Sequence, residues 1–118
     1  PAMTLSEFYA AIGGDVSAVL MRIPSEQMLA RFVRMYASDP AFGQLQAAVN
    51  AQNWPAAFLA AHTLKGVAQN LDFPHLQTAA SALTEHLRGD RPLTDRALLE
   101  NVVRAHSELT EALSRLSA

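Results

Sequence analysis

Proline stands at the start of each main apolar-periodic stretch of this sequence and never inside one: Pro24, Pro40, Pro55, Pro74 and Pro92 each precede or open such a stretch. Proline lacks a backbone N–H and has a fixed φ, so the first turn of a helix tolerates it while an interior position loses about 3 kcal/mol. The pattern reads as a chain cut into helices. Asp39-Pro40 pairs a good N-cap with proline at N1, Asn53-Trp54-Pro55 repeats the device, and Phe73-Pro74 opens another helix. Gly89-Asp90-Arg91-Pro92 is a break before the last one. Ahead of Pro24, Thr4 and Glu7 form a capping box for a short helix that Gly13-Gly14 ends, and Asp15 can cap a second short piece to about Met21. From Ser25 onward, Met28, Leu29, Phe32, Val33, Met35 and Tyr36 recur at helical spacing. No stretch alternates with the period of a half-buried strand. The expected fold is all-α: an antiparallel up-and-down four-helix bundle of segments at about 40–51, 54–71, 74–88 and 94–116, with additional short N-terminal helices at one end.

Composition removes several classes of function. At 118 residues there is room for one domain. Nine basic against eleven acidic side chains give a net charge of −2, which argues against nucleic acid or an anionic membrane as partner. No apolar run approaches the ~18 residues of a membrane span, and the start lacks a charged segment followed by an apolar one. A cytoplasmic domain is expected, monomeric given its modest number of apolar positions left outside the helical stripes. The absence of cysteine excludes disulfides and thiolate chemistry. No two histidines are spaced i, i+4 and no Glu-x-x-His occurs, so no metal site is expected. Neither a GxGxxG nor a GxxxxGK[ST] loop is present, and the carboxylates are scattered, so the chain is expected neither to bind ATP nor to be an enzyme. Of the histidines, His75 is expected in solvent, His86 near a helix end where the dipole suits it, and His106 partly buried.

The stretch from 54 to 71 carries a polar stripe. At roughly 100° per residue from His62, the residues Ala60, Leu64, Val67 and Leu71 gather at about 140–200°, the expected buried face. Lys65, Gly66, Gln69 and Phe58 fall within about 60° of His62, with Leu59 beside them. A solvent-facing imidazole is largely neutral and nucleophilic near neutral pH: one nitrogen can attack phosphorus while the other keeps its proton. A phosphoryl group brings about −1.5 to −2 charge, which an ammonium one turn away can meet. Lys65 is the sole lysine in the chain. Glycine inside an exposed helix costs about 0.8–1 kcal/mol relative to alanine, so Gly66 needs an offsetting gain, and close approach of a partner is one.

Ala61-His62-Thr63-Leu64-Lys65-Gly66 resembles the signature of histidine-containing phosphotransfer (HPt) domains, in a stand-alone, single-domain form. The likeness continues through Val67-Ala68-Gln69-Asn70-Leu71 and on to Ala79-Ala80-Ser81-Ala82-Leu83, covering roughly residues 25–116 and leaving 1–24 as an N-terminal helical extension of a single domain, 1–118. The resemblance implies a phosphocarrier in a two-component phosphorelay, with His62 as phosphoacceptor and Lys65 neutralising the phosphoryl oxygens. It implies that Gly66 admits a receiver domain of a response regulator or hybrid histidine kinase, which brings the Mg²⁺, so that no cofactor belongs to this chain. Gln69, Phe58 and Leu59 are expected to take part in docking. Two positions depart from the family pattern. Asp72 replaces a glycine that often ends the helix, and Thr84, with Glu85 next to it, stands where many members carry the glutamine or glutamate that orients the imidazole. A helical adaptor that binds a receiver without carrying phosphate is the alternative reading.

Overall fold

A computed structural model gives the fold of residues 2–116. The capping residues do what their chemistry dictates. Thr4 and Glu7 form the reciprocal capping box that opens α1 (Leu5–Ala11), Asp15 caps α2 (Val16–Leu20), and Ser25 caps α3 (Glu26–Met35), which tightens into a 3₁₀ turn over Tyr36–Ser38. The four long segments are α4 (Ala41–Asn50), α5 (Trp54–Leu71), α6 (Pro74–Leu87) and α7 (Arg96–Ser114). Asn53 accepts the Ala56 N–H to open α5, which has proline in its first turn.

Two boundaries move inward from the sequence expectation. Helix α4 begins after Pro40, although Asp39 still performs the capping, accepting the Ala41 N–H at 2.8 Å. Helix α7 begins later than Thr94 because Asp95 caps it through the Ala97 N–H. The Thr94 N–H donates instead to His86 Nε2 at 3.1 Å, so His86, expected near a helix end where the dipole suits it, also ties down the α6–α7 loop. At the other end, Leu116 leaves the helix and forms an isolated parallel bridge with Met3.

The bundle is built by consecutive neighbours: α5 packs between α4 and α6, and α6 packs on α7. It closes where Phe42 of α4 stacks on His106 of α7, ring centroids 3.6 Å apart and 8° from parallel. The residues of α5 that are sealed inside are Ala57, Ala60, Ala61, Leu64 and Ala68. That arc is rotated from the one expected: Ala60 and Leu64 are sealed as predicted, but Val67 and Leu71, predicted on the same face, are only half-buried. Alanines let the neighbouring helices approach closely, so the smallest side chains end up under the contact and the larger ones at its margin.

The N-terminal helices close one end of the bundle. Phe8 and Tyr9 of α1 are fully buried and meet Phe73 of the α5–α6 turn, with Tyr36 packed edge-on against the same ring. The Tyr9 hydroxyl donates to the Leu71 carbonyl at 2.6 Å, and burial, reinforced by Asp72, pushes its ionisation well above the ordinary tyrosine range. Asp72 itself occupies the left-handed region (φ 58°), the conformation a C-terminal cap residue requires there. Aspartate tolerates this better than most residues, which is why it can stand where glycine is usual. His75, expected simply in solvent, is exposed and paired with Glu108 of α7 at 2.8 Å.

Candidate functional site

Helix α5 positions the site because its inner face is fixed by α4 and α6, leaving the opposite stripe to water. His62 is exposed, Lys65 one turn on is half-buried, and Gln69 is exposed. A Cβ built on Gly66 meets no atom within 4 Å, so no packing contact in the folded chain explains the glycine. Leu59, 63% exposed, lies on the same outer surface. The outward set predicted by helical periodicity is thus brought together on one side of one helix.

Phe58 is half-buried and engaged in two directions. The His62 imidazole lies nearly parallel to its ring, centroids 6.2 Å apart and 13° between planes. The Arg88 guanidinium sits over the same ring at 5.3 Å from its centroid. Arg88 is held in turn by Glu85, three residues earlier on α6, through Nε to Oε2 at 2.9 Å and a terminal nitrogen to Oε1 at 2.8 Å. This fork keeps the Glu85 carboxyl below the usual carboxylate range, with smaller contributions from the charges of Lys65 and His62. The Glu85 carboxylate therefore lies within electrostatic reach of both site residues.

Thr84 is different. It is fully buried, and its hydroxyl donates to the Ala80 carbonyl at 2.7 Å. Its one proton is committed to the backbone, so it offers no donor to orient an exposed ring. Glu85 engages Arg88 through both carboxylate oxygens, and among the described residues no hydrogen bond joins either residue to His62.

On the other side of α5 lies a groove of about 480 Å³ between α3 and the C-terminal half of α5, walled by Phe32, Met35, Tyr36, Val67 and Leu71. Met35 is 60% and Phe32 37% exposed. Sequence reasoning placed these residues on one helix face but did not connect them to the site. The signal available was that α3 carries more large apolar side chains than its buried stripe of Leu29 and Val33 uses. Arg88 was also missed. Its i, i+3 spacing from Glu85 is visible in the sequence, but its reach to Phe58 on another helix is not. Among the described residues no group of histidines, aspartates or glutamates could hold a metal ion, and no helix is long and apolar enough to cross a membrane.

An all-helical bundle that presents a bare imidazole, a neighbouring ammonium and an unobstructed glycine on one outer stripe has the parts of a phosphoryl-carrying domain. Residues 27–118 match the family described as the Hpt domain, and the chain belongs to it. No curated protein and no solved structure gives a significant match. The family carries phosphoryl groups in two-component signalling as phosphocarriers rather than enzymes, and works with receiver domains or kinases. The match starts inside α3, so α1 and α2 lie outside it even though Phe8, Tyr9, Ile12 and Val19 belong to the same buried core.

Proposed function

We propose that His62 accepts a phosphoryl group from the phosphoaspartate of a receiver domain and returns it to a receiver aspartate. The observation that carries this is the exposed His62 ring on one stripe with Lys65 and with Gly66, where an added Cβ would meet nothing within 4 Å beyond its own turn of helix backbone. In the transfer, a neutral ring nitrogen forms the N–P bond as the acyl phosphate O–P bond breaks, leaving the aspartate as carboxylate. The second ring nitrogen keeps its proton. Phosphoryl transfer of this kind is largely positioning and charge neutralisation, so a site with few groups suffices. Lys65 offsets the charge of the phosphoryl oxygens, and the Mg²⁺ comes with the receiver.

Docking uses both shoulders of α5. Gly66 lets the receiver surface reach the backbone, Gln69 supplies a hydrogen-bonding amide, and Leu59 together with the Phe32–Met35 groove supplies apolar area of the kind that forms interface cores. The decisive experiment incubates the chain with a radiolabelled phosphorylated receiver and Mg²⁺. Acid-labile, base-stable label should appear on the chain and disappear entirely in His62→Gln. A chain that binds the receiver without taking label is the adaptor of the alternative reading.

A further inference from the structure

We propose that Phe58 is the positioning residue for His62, and that Arg88, clamped by Glu85, holds Phe58 in place; this rests on His62 being the phosphoacceptor. An exposed imidazole turns freely about its last side-chain torsion unless something restrains it. Of the two residues at the position that orients the ring in many family members, Thr84 is sealed in the core with its hydroxyl given to the Ala80 carbonyl, and Glu85 is engaged by Arg88. Phe58 stands four residues before His62, one turn away on the same stripe. Helical side chains lean toward the N-terminus, so the imidazole leans toward the Phe58 ring. The two rings lie 13° from parallel at 6.2 Å, within the range of offset-stacked aromatic pairs.

Phe58 is itself restrained from the neighbouring helix. The guanidinium of Arg88 lies over its ring at 5.3 Å, a cation facing the negative face of a π-system. Glu85 engages the planar fork of Arg88 at two points, which directs the guanidinium toward the ring. The column Glu85–Arg88–Phe58–His62 thus ties the nucleophile's orientation to the α5–α6 contact. A stack differs from an orienting hydrogen bond in one chemically useful way: it occupies neither ring nitrogen. Both stay available, one for phosphorus and one for its proton. Phe58 therefore serves the reaction by restraining the ring, and its part in docking is secondary.

The test compares Phe58→Leu with Phe58→Tyr in the full chain, using the radiolabelled receiver that exchanges fastest with the wild type. Leucine keeps apolar volume and removes the ring, whereas tyrosine keeps the ring. Phe58→Leu should slow phosphoryl uptake about tenfold, because a misdirected nucleophile loses rate rather than binding, while receiver affinity stays within about twofold and the tyrosine variant matches the wild type. The His62 ring-proton resonances should shift in the leucine variant, reporting loss of the neighbouring ring current, and return in the tyrosine variant. Arg88→Ala should give a smaller slowing that does not add to that of Phe58→Leu. Normal uptake by the leucine variant, a loss confined to affinity, or failure of tyrosine to rescue each overturns the positioning role. A wild-type chain that takes no label sinks the phosphocarrier reading and the positioning role with it, whereas normal labelling of Phe58→Leu sinks the positioning role alone.

Discussion

The two shoulders of α5 differ in kind. Toward α6, His62 meets charge: Lys65 on its own helix, then Glu85 and Arg88 across the contact, with Phe58 beneath the guanidinium. Toward α3 the C-terminal half of α5 borders apolar surface, the groove of Phe32, Met35, Val67 and Leu71. The charged shoulder is suited to whatever changes charge during the reaction. The apolar shoulder is suited to whatever stays the same before and after it, which is the contact with a partner. Rate and affinity should therefore separate by side, and salt should separate them too, since screening weakens exposed charges but not apolar contact.

The largest effect expected from breaking this division lies at Lys65. A hydrogen bond to a charged group is worth about 1.5–3 kcal/mol, which corresponds to about 10–150-fold in rate. Lys65→Ala should slow transfer by that range and shorten the phosphohistidine's lifetime, with the receiver dissociation constant little changed. Rapid-quench kinetics against a binding titration decide the matter. If affinity falls and the rate at saturating receiver does not, the charged shoulder is a docking device instead.

The apolar shoulder should answer the other way. Truncating Phe32 and Met35 together to alanine should weaken receiver binding by about tenfold, the 1.4 kcal/mol typical of one good interface anchor, while the transfer rate at saturation holds. The loss should persist at high salt, where the Lys65→Ala defect shrinks.

Gly66 lies between the shoulders and sharpens the comparison through stability. Because no atom lies within 4 Å of an added Cβ, Gly66→Ala should stabilise the fold by about 0.8–1 kcal/mol, seen as a higher urea midpoint, and a bulky Gly66→Leu should fold normally yet dock poorly. A lower midpoint for the alanine variant would mean that the glycine serves packing.

What the sequence could and could not disclose follows the same lines. The helices and most of their caps were readable because Thr4 with Glu7, Asp15, Asp39 and Asn53 act on backbone groups two or three residues away, whereas the Asp95 cap that shortens α7 was not read. The outward stripe of α5 was readable because period alone places His62, Lys65, Gly66 and Gln69 together. The rotation of its buried arc was not. A wheel weighted by hydrophobicity favours Val67 and Leu71, but burial went to Ala57, Ala61 and Ala68, which let α4 and α6 come close. For the same reason the orienting role could not be placed. Whether Thr84 or Arg88 faces α5 depends on the register between two helices, and no local rule sets that.

The smallest expected effect concerns the pH dependence of stability and of the apolar shoulder. Tyr36 forms part of the groove wall, and its hydroxyl is hydrogen-bonded to His106 Nδ1 at 2.7 Å. Burial raises the tyrosine's ionisation above its ordinary range, with Asp39 adding to it, so that proton stays on the hydroxyl. Burial lowers the pKa of His106 below its usual 6.5, and the ring is further covered by Phe42 stacked at 3.6 Å. A neutral Nδ1 can accept a hydrogen bond from the hydroxyl, whereas an imidazolium must reverse it and donate to the tyrosine oxygen. The unfolded chain takes up a proton as pH falls through about 6.5, whereas the folded chain resists until lower pH. The stability contributed by a neutral His106 is therefore complete above that value and is lost as pH drops from about 6.5 through the folded-state pKa. Melting temperatures measured between pH 7.5 and pH 5 should fall more steeply for the wild type than for His106→Gln. Receiver affinity should decline over the same window as the Tyr36 wall of the groove loosens. A pH slope as steep in His106→Gln as in the wild type would move the titration to another group and detach the α3 shoulder from this hydrogen bond.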